Sequence, residues 1–408
     1  MTSMLVISEI FWPEGGGAEL ATYLILDMLA KHNFDITVVT GTKSPAKIRG
    51  VKYYIIPYLR ASNRIVRWIN IGLLKRDERF EEMLSKHNIL YIPLAAYPLI
   101  PLAKKNGLKV VVHLHNYAPI RYNSIKYYFE SETLDVIKEF RYAVFHEFFI
   151  QKSISRSLLC PISYILYLYS KKWISIADKV VCVSRRQAEI IADQAPELRD
   201  KIEVVYNPLP PEIINAEPRK ELDDTPTLLY VGGDSYVKGF HTLLNAVKEL
   251  GKQKVKARII LAGEYGDDNL KTLNELRSRY LGLEVSVLGR VSHDEVLKLH
   301  EKAWGLVFPS SVEEPLPYAV IEAMALGTIP IASSVGGVPE IIGDCPVKKF
   351  LFKPGSIGDL IEKLKIFTLQ SKESILGLAI ECKNRIVELF NKENIERKIV
   401  EVFKELLN

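Results

Sequence analysis

Strand, glycine turn, helix and strand follow one another twice in this chain, and that repeat constrains its fold more than any other feature. In the first pass the apolar run at 4–10 is broken by Pro13 and by Gly15, Gly16 and Gly17. Ala21, Leu24, Ile25, Met28 and Leu29 then recur at the spacing that lays one apolar stripe along a helix, and 34–40 is a β-branched strand. In the second pass Thr227–Val231 leads into Gly232 and Gly233, the helical pattern at 240–250 closes at Gly251, and 258–262 is the next strand. Each βαβ series predicts a doubly wound parallel sheet that receives ligands at the carboxyl ends of its strands. Further strands are expected at 52–57, 89–92, 109–114 and 179–183 in the first series, and at 284–288, 305–308 and 328–332 in the second. Ser292 and Glu295 form a capping box that opens a helix reaching Ala303.

Between the two series, residues 206–226 hold Pro208, Pro210, Pro211, Pro218 and Pro226. Proline fixes φ and removes an amide donor, so this stretch reads as a hinge linker. A length of 408 residues fits two domains of the usual size. The predicted fold is α/β, with two Rossmann-like doubly wound domains facing each other across a cleft that a hinge can close. The expected domains are 1–205 and 206–385, with the helical tail 386–408 packing back on the first.

A net charge of +5, from 54 basic and 49 acidic residues, is too mild and too dispersed for a nucleic-acid partner. It remains compatible with a membrane surface or a phosphate-bearing ligand. Cys160, Cys182, Cys345 and Cys382 form no Cys-x-x-Cys pair, so free thiols in a reducing, cytoplasmic setting are expected. Residues 1–10 carry Glu9 and run directly into a strand pattern, unlike a signal peptide. The uncharged runs at 89–103 and 157–170 fall short of the roughly 20 residues that span a bilayer.

The most informative string is Glu314-Pro315-Leu316-Pro317-Tyr318-Ala319-Val320-Ile321-Glu322-Ala323-Met324-Ala325-Leu326-Gly327. Pro317 suits a first helical position and Gly327 a stop, so the helix start offers the amides of Leu316, Tyr318 and Ala319 to a diphosphate. Glu314 can accept hydrogen bonds from sugar hydroxyls, and Glu322, two turns in, from a ribose. The plainer alternative is a solvated Glu313–Glu314 pair before an ordinary amphipathic helix. His113 and His115 share a strand face, a spacing also found in zinc sites, but no third ligand accompanies them and no metal is expected.

This string resembles the two-glutamate motif of family 4 of the retaining glycosyltransferases, which have the GT-B fold. Other pieces match that family in order: Gly15-Gly16-Gly17-Ala18-Glu19, His115-Asn116, the strand with Ala177-Asp178-Lys179 to Ser184, Lys238-Gly239, and Gly336-Gly337-Val338-Pro339-Glu340. The resemblance implies a retaining hexosyltransferase that uses a nucleotide-diphosphate sugar and needs no cofactor. The acceptor it implies is a glycan, a lipid-linked saccharide or another hydroxyl. His115 would contact the donor sugar, Lys238 the phosphates and Glu314 the sugar hydroxyls. Gly16, Gly17, Leu316, Tyr318, Ala319 and Glu322 would complete the donor-binding set. In the family's front-side mechanism the departing phosphate takes the acceptor proton, so no protein base is required.

Two positions depart from the pattern. An arginine usual after Val231 is replaced by Gly233 or Asp234, leaving Arg290 as a candidate substitute, and Pro208 follows Asn207 where glycine is usual. A GT-B sugar-nucleotide epimerase and a non-catalytic sugar-nucleotide-binding protein therefore stay open as alternatives. Residues 117–172 are aromatic and basic, with Arg121, Tyr122, Lys126, Tyr127, Tyr128, Phe129, Tyr164, Tyr167 and Tyr169. That composition suits peripheral contact with the cytoplasmic face of a membrane, or else a buried helix pair.

Overall fold

The computed structural model describes residues 2–61, 63–130, 135–280 and 282–407, apart from the Arg64 side chain. Two wholly parallel sheets organise the described residues. The first holds β1 (Ser3–Ser8), β2 (Asp35–Thr40), β3 (Lys52–Ile55), β4 (Ile89–Ile92), β5 (Lys109–Leu114), β6 (Lys179–Cys182) and β7 (Ile202–Val204), in the order 3-2-1-4-5-6-7. The second holds β8 (Thr227–Val231), β9 (Ala257–Ala262), β10 (Leu283–Gly289), β11 (Gly305–Phe308) and β12 (Ile329–Ala332), in the order 10-9-8-11-12. Strands such as Val110–Val111–Val112 in β5 are buried continuously, because helices cover both faces of a parallel sheet. In each sheet the order reverses once, between β1 and β4 and between β8 and β11. A crevice opens at such a switch point.

The helices that matter below are α1 (Gly17–Lys31), α2 (Arg64–Leu74), α3 (Val136–Phe145), α4 (Ile154–Leu158) and α5 (Cys160–Ser175). They are followed by α6 (Phe240–Lys252), α7 (His293–Lys302), α8 (Tyr318–Ala325) and α9 (Lys392–Lys404). The chain divides into two compact units. One comprises Met1–Lys126, Glu130–Leu209 and Lys392–Asn408, so α9 belongs with the first sheet, where Phe403 meets Phe34 and Tyr91 edge-on. The other comprises Tyr127–Phe129 and Pro210–Asn391.

Several local expectations need amendment. β7 is an edge strand of three half-buried residues around Glu203, too short and too polar to announce itself. Helix α6 runs through Gly251 to Lys252, because this glycine is there for close packing: a Cβ would lie 2.4 Å from the Tyr280 ring. The proline-rich stretch carries one helical turn, Pro211–Ile214, whose prolines sit at its start, where a missing amide costs nothing. Lys220 in the same stretch donates to the carbonyls of His300 and Ala303 and to the Thr328 hydroxyl, so this part of the linker is fastened to the second unit.

Residues 117–172 send part of their aromatic and basic set inward. Arg121 and Lys126 are buried, and Arg121 pairs with buried Glu130 at 2.5 Å. Tyr122, Tyr164 and Tyr167 pack with Ala143 and Cys160 in a small core of their own, and Tyr127 is buried in the second unit. Tyr128, Phe129 and Tyr169 are exposed.

Candidate functional site

The second sheet places its chemistry at the switch point. After β8 the chain turns through Gly232 and Gly233 and delivers Lys238, and after the neighbouring β11 it delivers Glu314. Lys238 Nζ lies 2.7 Å from Glu314 Oε1, with the lysine half-exposed and the glutamate mostly covered. Two glycines make this approach geometrically available. Gly239, the N-cap of α6, has φ +75°, and a Cβ there would fall 1.7 Å from the Pro309 carbonyl oxygen. Gly336 has φ +49°, and a Cβ there would fall 1.9 Å from the Glu314 carbonyl oxygen. The Gly336 amide donates to the Glu313 carboxylate and the Gly337 amide to the Glu314 carbonyl at 2.9 Å, so the glycine turn after β12 grips the Glu313 side chain and the Glu314 backbone.

Helix α8 begins one residue later than expected. Pro317 is its N-cap, with extended backbone, and its carbonyl accepts from Val320 and Ile321. Leu316 is buried, while Tyr318 and Ala319 keep part of their surface at the helix start. Gly327, φ +73°, closes the helix beyond Leu326 as the sequence indicates. Glu322 is buried on this helix, and its Oε1 meets His293 Nε2 at 2.9 Å. His293 opens α7, whose capping box joins Ser292 and Glu295.

The Glu322 partner is what sequence reasoning missed. His293 sits next to the N-cap Ser292, and nothing in its local pattern points to a helix 29 residues further on. Its hydrogen bond and charge attraction to Glu322 raise its pKa above the ordinary 6.5. A raised folded-state pKa contributes stability in full below that ordinary value and loses it as pH climbs through the raised one. The thermal midpoint of the wild type should therefore exceed that of His293→Ala most below the ordinary histidine pKa and converge on it as pH rises through the raised one. A gap that stays constant across this range would remove the ion pair as its cause.

The groups standing where the missing arginine would be are already engaged. Asp234 turns its carboxylate to the Gly266 amide and the Asn269 side chain, at 2.8 and 2.9 Å. Gly233, φ +60°, packs so closely on Glu264 that a Cβ would lie 2.4 Å from its carbonyl oxygen. Arg290, the candidate substitute, is exposed and faces Glu264 at 3.6 Å.

The remaining candidates belong to the first unit. Gly16 caps α1 and Gly17 is its first residue, both exposed at the carboxyl end of β1. The Gly16 amide is already engaged, donating to the Glu19 carboxylate at 2.8 Å. His115 follows β5 and stacks on His113, with ring centroids 4.4 Å apart. Its Nδ1 faces the Asn207 side-chain amide at 3.5 Å. Nε2 is buried without a hydrogen-bond partner among the described residues, and burial pulls the pKa of His115 down to about 4, so the ring is neutral near pH 7. His113 is structural: its Nδ1 bonds Tyr91 at 2.8 Å, and burial, with His115 beside it, holds its pKa well below 6.5. Among the described residues no group of three metal-ligating side chains comes together.

Comparison with known proteins follows the same division. The family model described as Glycosyltransferase Family 4 matches residues 15–213, and that described as Glycosyl transferases group 1 matches residues 213–374. An uncharacterized glycosyltransferase of Methanocaldococcus jannaschii is 31% identical over 244 residues, 55% of this chain and 60% of that protein. One subunit of the human phosphatidylinositol N-acetylglucosaminyltransferase is 20% identical over 98% of this chain and 75% of its own length. Among solved structures, sucrose-phosphate synthase from Thermosynechococcus elongatus superposes with a TM-score of 0.73 at 16% identity, over 100% of this chain and 99% of its own. Anabaena HepE in complex with UDP-glucose gives 0.67 at 16% identity, over 99% and 100%. At such identities the structural likeness is one of fold.

Proposed function

Because the chain belongs to the group 1, family 4 glycosyltransferases of the GT-B type, we propose that it moves a hexose, with retention of configuration, from a nucleotide-diphosphate sugar to a saccharide or lipid-linked hydroxyl. The observation that carries this reading is the Lys238–Glu314 pair at the β8–β11 switch point, beside the start of α8. Cleaving the donor leaves negative charge on a departing diphosphate. Catalysis then rests on fixed cations and amide dipoles aimed where that charge grows. Lys238 supplies the cation and the opening turn of α8, at Leu316, Tyr318 and Ala319, the amides. Glu314, released from the lysine, accepts from the sugar hydroxyls, and Glu322, held by His293, from the ribose. His115, neutral near pH 7, donates to the donor sugar through its buried Nε2, and the departing phosphate takes the acceptor proton.

A thermal-shift screen of nucleotide sugars tests the donor site, since a ligand of the folded state raises the midpoint. UDP-glucose is a natural first probe, given the HepE complex. Bound donor should raise the midpoint of the wild type and do so far less in Glu322→Ala, and an unchanged preference in that variant would take Glu322 out of the site. Turnover with an acceptor panel should give product of the donor's anomeric configuration. Binding without any turnover would favour a non-catalytic sugar-nucleotide-binding protein, the alternative that the paired Asp234 and Arg290 support, and epimerised free sugar would favour an epimerase.

A further inference from the structure

Tyr127–Phe129 belong to the second unit, although Lys126 before them and Glu130 after them belong to the first. Tyr127 makes an antiparallel bridge with Val312, outside the strands of either sheet, and the Tyr128 amide donates to the Ser311 carbonyl at 3.2 Å. Val312 stands two residues before Glu314. The Tyr127 ring, 1% exposed, stacks on Phe129 with centroids 5.1 Å apart and meets Tyr236 edge-on at 6.2 Å. Both separations lie in the range where aromatic pairs attract beyond the area they bury. Tyr236 stands two residues before Lys238 and stacks in turn on His241, in the first turn of α6, at 4.3 Å. Tyr127 thus touches both arms that carry the ion pair, through its backbone on the glutamate side and through its ring on the lysine side.

Direct bonds between those arms stop short of the pair itself. The Ser311 amide donates to the Val237 carbonyl at 3.0 Å, and the Ser310 hydroxyl to the same carbonyl at 3.4 Å. They secure the residue before Lys238 and leave the long lysine side chain, half-exposed, to follow its backbone. A cation on a flexible four-carbon stem is placed no better than the segment that bears it. Misplacing a group by about 1 Å can lower a rate on the order of 100-fold. A further contact fastens the inserted residues: a Cβ on Gly355 would lie 1.9 Å from the Tyr128 hydroxyl oxygen, so that ring rests directly on the glycine. The Tyr127–Phe129 strap is therefore held at Val312, at Tyr236 and at Gly355, and Tyr127 supplies the first two holds.

We propose that Tyr127 is a positioning residue of the donor site, fixing segments 236–238 and 312–314 so that Lys238 and Glu314 meet one ligand together. The kinetic consequence rests on the transferase reading and the structural one does not, so each has its own measurement. Amide hydrogen exchange without ligand reports on the segments. In Tyr127→Ala the Ser311 and Gly337 amides, bonded to Val237 and Glu314, should exchange on the order of 10-fold faster. The reference is the Ile357–Thr368 helix, whose amides register any general loss of stability. Tyr127→Phe keeps the ring and the bridge and should exchange like the wild type. Tyr127→Leu, which fills much of the space without a ring edge, should show the same change in smaller measure, and serves if the alanine variant does not fold. In turnover of UDP-glucose with the acceptor panel, Tyr127→Ala should lower kcat about 10–100-fold and alter KM much less, because charge grows on the way to the transition state. Tyr127→Phe should restore kcat. Unchanged exchange at Ser311 and Gly337 in a folded Tyr127→Ala or Tyr127→Leu variant would overturn the proposal, as would a kcat that falls only with the folded fraction. If the wild type turns over no nucleotide sugar, the transferase reading fails and exchange alone decides the positioning role.

Discussion

Lys238→Ala should lower kcat/KM for the nucleotide sugar by on the order of 10²–10³-fold, the usual cost of losing one fixed partner to a developing oxyanion. Its effect on stability should be slight. The ion pair with Glu314 involves a half-exposed lysine, and such pairs contribute about 0–1 kcal/mol at most. Activity and thermal midpoint should thus separate, which loss of a merely structural lysine would not produce. The pairing adds a second signature. Without the ammonium, Glu314 stands as an uncompensated negative charge beside the diphosphate position proposed here. Donor binding by Lys238→Ala/Glu314→Gln should therefore be stronger than by Lys238→Ala alone, measured by calorimetry with the same nucleotide sugar. If the double variant bound no better, the two side chains would not share one ligand.

Gly239→Ala should be the most damaging single methyl in the second unit. The new Cβ would meet the Pro309 carbonyl oxygen at 1.7 Å, backbone that has no room to retreat because Phe308 and Ser310 on either side are buried. The φ of +75° adds its own strain for a residue with a side chain. Together these cost on the order of 3 kcal/mol, or about 6–12 °C in the melting of a unit of this size. Lys238 precedes this glycine directly, so donor binding should fall with stability. Gly358→Ala, where a Cβ would meet nothing within 4 Å on the helix Ile357–Thr368, is the matched control and should be neutral or mildly stabilising. Equal midpoints for the two alanine variants would show that the turn can relax.

The fold was legible because its signals are local and repeated. Ile89–Ile92, Lys109–Leu114, Thr227–Val231 and Gly305–Phe308 are apolar runs closed by turn residues, and each is the strand that such a run predicts. Ser292 and Glu295 make the capping box their spacing announces. What escaped was either short and marginal, like β7, or settled by distant packing. Gly251 reads as a stop because nothing nearby says that Tyr280 will press on it. The same limit governs the site. Lys238 and Glu314 were visible one at a time, but their meeting depends on β8 and β11 becoming neighbours. The His293–Glu322 bond depends likewise on where α7 and α8 come to lie. In 117–172 composition does not say which side chains turn inward: Tyr122, Tyr127, Tyr164, Tyr167 and two of the cations do, while Tyr128, Phe129 and Tyr169 share the outside with aliphatic residues at helical spacing.

The resting contact between Lys238 and Glu314 has a consequence for selectivity. A bare phosphate that captures the ammonium strands the carboxylate, and a free sugar that captures the carboxylate strands the ammonium. Only a molecule bringing both an anion and a row of hydroxyls to the same place compensates both halves at once. On the donor-binding role proposed for this pair, it works as a coincidence detector, and inorganic phosphate or free hexose alone should compete poorly with the conjugate that joins them.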